Sequence, residues 1–131
     1  MALSTYLANR LLDLAIGKTA FTLPTVHVAL FITNPTAAGS GTEASWTGYA
    51  RVAAPGASWS AATGSASNNA AAITQAGPKT AGADATVGFW ATYDAATLGN
   101  LLEFGALVTP QLVSNGTTIN IPIGSAPRSA S

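Results

Sequence analysis

The chain has no cysteine, a single histidine and few charges of either sign. The absence of cysteine in 131 residues excludes disulfides and thiolate metal sites and leaves the redox compartment open. Charged residues make up 8% of the chain against ~25% in a typical globular domain, and five basic residues balance five acidic ones. The surface must therefore be built largely from Ala, Ser, Thr, Gly and Asn. Near-zero net charge promotes association, so the composition favours a subunit packed against copies of itself or a larger shell. Arg10, Lys18, Arg51, Lys79 and Arg128 are scattered along the chain, which leaves no basic footprint for nucleic acid. No apolar run approaches the ~20 residues of a membrane-spanning helix. Met1 to Gly17 carries Arg10 and Asp13 within its apolar pattern, unlike an anchor or a signal peptide. The expectation is a soluble protein made in a cytoplasm, with neither nucleic acid nor membrane as a partner.

What is present is mostly strand signal. Val87, Phe89, Ala91 and Tyr93 alternate with Gly88, Trp90 and Thr92, and Leu101 to Val108 is nearly all apolar. The turn residues Asp94 to Asn100 lie between, so Val87 to Val108 reads as a hairpin whose alternating face belongs to a core. Val26 to Thr33 is apolar on both faces and reads as a central strand, ended by Asn34-Pro35. Tyr49 to Ala53 is a short strand, Asn68 to Gln75 a weak one, and Leu112-Val113 begins another beyond the interruption at Pro110. Ser114-Asn115-Gly116-Thr117 signals a type I' turn into Thr118 to Ile123, where Ile119, Ile121 and Ile123 form one apolar face.

One helix is expected, over residues 4 to 16, with Ser4 as N-cap, Leu7, Leu11 and Leu14 at helical spacing, and Gly17 at the C' position. Leu12 and Ile16 widen its apolar stripe, so it must pack on its own sheets or on a neighbouring subunit. Thr36 to Thr47 reads as a long loop, and Ser125 to Ser131 as a loose tail. Short strands separated by turns and preceded by one helix predict a single domain over residues 1–131, an antiparallel, jelly-roll-like β-sandwich with one N-terminal helix.

Catalytic chemistry finds little support. His27 sits inside a strand with no partner at a useful spacing, and reads as structural. Asp13, Glu43, Asp84, Asp94 and Glu103 are too scattered to indicate a carboxylate pair, and Asp94 is explained by its turn. Asn115-Gly116-Thr117 matches a glycosylation sequon that the turn already accounts for. The expectation is a protein without enzymatic activity, cofactor or metal. The aromatics Trp46, Tyr49, Trp59 and Trp90 fit three uses: core packing, interface anchors, or platforms for sugar rings. The candidate protein interface comprises Leu3, Leu7 and Leu11 from the helix region with Trp46, Tyr49 and Trp59.

Several of these segments together resemble a known family. They are Gly48-Tyr49-Ala50-Arg51, Ser67-Asn68-Asn69, Gly88-Phe89, Tyr93 through Leu102 (YDAATLGNLL) and Gly105-Ala106-Leu107, with the closing Asn-Gly turn and Ile-rich strand. With the N-terminal MALSTYLANRLLDLAIGKTAF, they make the chain resemble small structural proteins of tailed bacteriophages over nearly its whole length. The resemblance implies a virion protein made in the host cytoplasm. The favoured expectation is a capsid decoration, or cement, protein on the capsid surface. It would bind the major capsid protein as a dimer or trimer, with the helix and the loop Thr36 to Thr47 as contact elements. The alternative is a tail-fibre or head-fibre module that recognises host glycan through Trp46, Trp59 or Trp90. The resemblance implies no catalytic residues.

Overall fold

The longest ladder in the molecule joins two strands that the sequence places in one hairpin. A computed structural model describes residues 1–130. In chain order the elements are β1 (Ala2–Leu3), α1 (Thr5–Ala15), β2 (His27–Phe31), β3 (Val52–Ala53), a 3-10 turn (Gly56–Ser58), β4 (Ala66–Ser67) and β5 (Ile73–Thr74). They continue with β6 (Ala85–Tyr93), β7 (Leu101–Val113), β8 (Asn120–Ile121) and β9 (Arg128–Ser129). The main sheet has the order β1-β7-β6-β2-β3, and two small ladders, β4-β9 and β5-β8, complete a mainly antiparallel β architecture with one helix.

The central strands are buried on both sides. Val28, Leu30 and Trp90 join Val87, Leu107, Val113, Ile73, Ile119 and Ile121 in one core cluster. Ala29, Phe31, Ala91, Tyr93, Leu101 and Phe104 form a second. Cross-strand neighbours on the two strands, Leu30 with Trp90 and Ala29 with Ala91, fall into different clusters because successive residues point to opposite faces. The apolar β2 thus has the two-faced burial its sequence requires. On β6 both sets of alternating residues serve a core, so Trp90 is fully buried and offers nothing to a ligand.

Pro110 does not end the return strand, contrary to the sequence expectation. β7 runs through it, and Leu112-Val113 belongs to the same strand. The register explains how: Val87 pairs with Gln111 and Phe89 with Ala106, so Gly88 alone faces residues 107–110 across a large irregularity. Pro110 lies in this bulge, where a missing N–H costs no ladder bond.

Four further expectations need correction. Asn115-Gly116 does not make a type I' hairpin. Of the two only Gly116 has positive φ, at 88°, and β8 pairs with β5 rather than with β7. The Asn115 side chain instead accepts a hydrogen bond from the buried Lys79 ammonium at 2.6 Å. Ile119 and Ile121 are buried, but Ile123 is exposed because the chain turns at Gly124, whose N–H donates to the Asn69 carbonyl. Of the weak strand Asn68 to Gln75 only Ile73–Thr74 pairs in a ladder. The tail is anchored up to Ala130: Ala126 is fully buried, its N–H donates to Asn69 Oδ1, and β9 pairs with β4. Ser131 lies outside the described residues.

The long loop is also tied in. Ile32 donates to the Thr42 carbonyl, Ala44 donates to the Leu30 carbonyl, and Phe31 bridges Glu43, so the chain returns along the free edge of β2. At its end Gly48 adopts φ 95°, and a Cβ there would lie 2.7 Å from the Pro78 carbonyl oxygen. Backbone strain and a backbone clash act together. Gly48→Ala is expected to destabilise the protein by about 3 kcal/mol, read from its denaturant midpoint, while Gly56→Ala, with open space at its Cβ, should change it by less than about 1.

Candidate interaction surfaces

Two ion pairs and one half-covered helix organise the surface. The first pair, Glu43 with Arg51, lies within the β2–β3 connection, and Arg51 ties it to the loop between β6 and β7. Arg51 sends Nε and Nη2 to the two oxygens of Glu43, each at 2.9 Å, and Nη1 to the carbonyls of Leu98 at 2.6 Å and Ala95 at 3.2 Å. Its guanidinium lies 3.6 Å from the centroid of the Tyr93 ring. Tyr49 Oη donates to Glu43 at 2.8 Å and accepts from the Leu30 N–H, completing that strand edge. Burial pushes Glu43 up, but hydrogen bonds from Arg51 and Tyr49 and the guanidinium charge outweigh it and hold the carboxylate below its ordinary range. Burial, reinforced by Glu43, pushes the Tyr49 hydroxyl far up, so it stays a donor at any physiological pH. The latch fixes Leu98 in the left-handed region at φ 54°, 87% exposed at the loop tip. At the base of the same loop, Asn100 donates its backbone and side-chain N–H groups to Asp94 at 2.6 and 2.9 Å, the turn role its sequence position implies.

The second pair closes the other face. Arg128 Nε and Nη2 reach Glu103 at 2.6 and 2.7 Å, and Nη1 reaches Ser67 Oγ at 2.9 Å. The hydrogen bonds to Glu103 raise the Arg128 pKa further, against the opposing effect of burial. Beside the pair lies a cavity of about 260 Å³ walled by Leu7, Leu23, Val26, Leu102 and Trp59, with Thr92, Glu103 and Arg128 along one side. Trp59 is held by its Nε1 bond to the Ala54 carbonyl and packs against Trp90.

The helix is anchored through its first turn. Ser4 caps it, accepting from the Leu7 N–H, while its own N–H and hydroxyl donate to the Leu102 and Leu101 carbonyls of β7. Leu7 is the sole buried residue of α1. Beyond it Leu12 and Ile16 are 68% and 76% exposed, and Leu11, Leu14 and Leu23 are also open. The start of the helix therefore packs on its own sheet, and its end is not covered by the described residues.

The six candidate interface residues divide accordingly. Leu7 points into the chain, and Leu3 and Leu11 line a shallow depression beside Arg128. Trp59 shares the larger cavity with Leu7. Trp46 and Tyr49 meet edge to face at 5.4 Å, half-buried against the core. His27 keeps its structural reading, with Nδ1 3.1 Å from the Thr25 carbonyl. The partnerships of Glu43 with Arg51, within the β2–β3 connection, and of Glu103 on β7 with Arg128 on β9 were not foreseeable, because polar partners at irregular separations leave no periodic trace.

The segments behind the phage resemblance meet in this geometry. Arg51 from one segment holds Ala95, Leu98 and Tyr93 from another, and Tyr49 beside it bonds the same Glu43 carboxylate that Arg51 holds. Comparison with known families gives the same direction, since residues 2–127 match the family described as podophage GP4 fiber I protein gp80. The chain belongs to that family. It is a phage virion structural protein, similar to proteins described as fibre proteins. No curated protein matches it.

Proposed function

We propose that the protein is a subunit of a virion fibre and works by contact rather than catalysis. Family membership supports a fibre, and the observation that carries docking is the uncovered end of α1. Leu12 and Ile16, four residues apart, form one apolar stripe that none of the described residues covers. A surface with few charges makes such contact cheap to desolvate. Head decoration, with the major capsid protein as partner, is the second reading, favoured by that same low charge. The test is incorporation. The Leu12→Asp/Ile16→Asp double variant, whose sites are exposed, should fold with an unchanged thermal midpoint and be missing from purified particles. Normal incorporation would overturn the docking role. Quantitative mass spectrometry of wild-type particles separates the readings: a few copies per particle support the fibre, and a shell-wide number supports decoration.

A further inference from the structure

The cavity beside Trp59 combines features that an ordinary packing defect lacks. Its walls are apolar, and one side carries a polar edge of buried Thr92 and Glu103 with the partly exposed Arg128. That edge is electrically balanced, because Arg128 and Glu103 neutralise each other, so neither a phosphate nor an ammonium ligand is favoured there. It also has unused hydrogen-bonding capacity. Each Glu103 oxygen accepts one bond from Arg128 and keeps a further lone pair, and the Thr92 hydroxyl accepts from the Glu103 N–H while its own proton remains free to donate. The volume of about 260 Å³ is below the roughly 300–1,000 Å³ of drug-sized pockets and limits the occupant to about one ring. A neutral ring with apolar C–H faces and hydroxyls along an edge meets all of these conditions.

We infer that this cavity is a binding site for a single neutral pyranose unit. Trp59, Leu7, Leu23, Val26 and Leu102 contact the ring body, while Glu103 accepts from, and Thr92 donates to, its hydroxyls. This deepens the fibre reading by giving the subunit a saccharide to recognise. Binding is measured on the purified chain, so its failure leaves the position in the virion untouched.

The probes are methyl α-D-glucopyranoside, methyl α-D-galactopyranoside, methyl α-L-rhamnopyranoside and N-acetyl-D-glucosamine, with cyclohexanol as an apolar control. Saturation-transfer NMR should show transfer to the ring protons of at least one saccharide. Gly56 lines the cavity and a Cβ there meets no atom within 4 Å, so Gly56→Phe is the variant chosen to place a ring at the cavity wall. It should abolish the transfer at an unchanged thermal midpoint, and Trp59→Ala should weaken binding tenfold or more. Transfer to none of the four saccharides, transfer to cyclohexanol alone, or saccharide binding that a folded Gly56→Phe retains would overturn the assignment.

Discussion

Trp90→Ala is expected to lower stability by about 4 kcal/mol, within the ~3–5 kcal/mol that deleting a buried aromatic side chain costs. The indole is fully buried at the centre of the main sheet, among residues from β2, β6 and β7 and from the ladder β5-β8. Gly105 sits opposite on β7 because a Cβ there would lie 3.1 Å from the ring. No neighbour can easily move in to fill the space. Among the described residues the indole N–H has no hydrogen-bond partner, so Trp90→Phe removes an orphaned donor along with some volume. The phenylalanine variant should therefore lose only about half as much. Urea unfolding checks both, with a shifted midpoint at constant slope. Equal losses for the two variants would show that the orphaned N–H is irrelevant.

Arg51→Ala should cost about 3 kcal/mol. Its side chain is 9% exposed and its guanidinium simultaneously serves Glu43, two carbonyls and the Tyr93 ring, but the Glu43 side chain keeps 26% exposure, which places the loss at the low end for a buried pair. The loop from Asp94 to Asn100 should then exchange its amide hydrogens faster, because Leu98 loses the bond that holds it in the left-handed region. The same latch sets an acid response. The folded Glu43 pKa lies below its unfolded value, so its stabilisation is complete above pH 4.5 and is lost as pH falls through the lower folded value. Thermal midpoints should drop in that window for the wild type and drop less for Glu43→Gln. Parallel acid profiles would contradict the role given to Glu43.

The parts of this fold that the sequence made legible are those with local periodicity. The cap at Ser4, the helical spacing of its leucines and the two-faced apolar run of β2 each encode their element within a few residues. The hairpin β6-β7 was legible in outline for the same reason, while its continuation past Pro110 depended on a bulge whose residues carry no distinctive pattern. Ile73 pairs with Ile121 across a long chain separation, and Arg128 finds Glu103 across the sheet. Such contacts are decided by tertiary packing, which single-residue types do not announce. For the candidate site, Trp59 and Leu7 were both identified as contact residues, but the cavity they share appears only when Glu103, Arg128 and Thr92 are placed beside them. For Trp90, core packing, an interface and a sugar platform were all open from sequence, and burial at the centre of the core decides for the first.

Cryo-electron microscopy of wild-type particles against particles lacking this protein addresses the fibre assignment most directly. The account predicts that density is lost at discrete fibre positions while the head shell is unchanged. Loss of density spread over the head surface, or no loss anywhere on the particle, would contradict it.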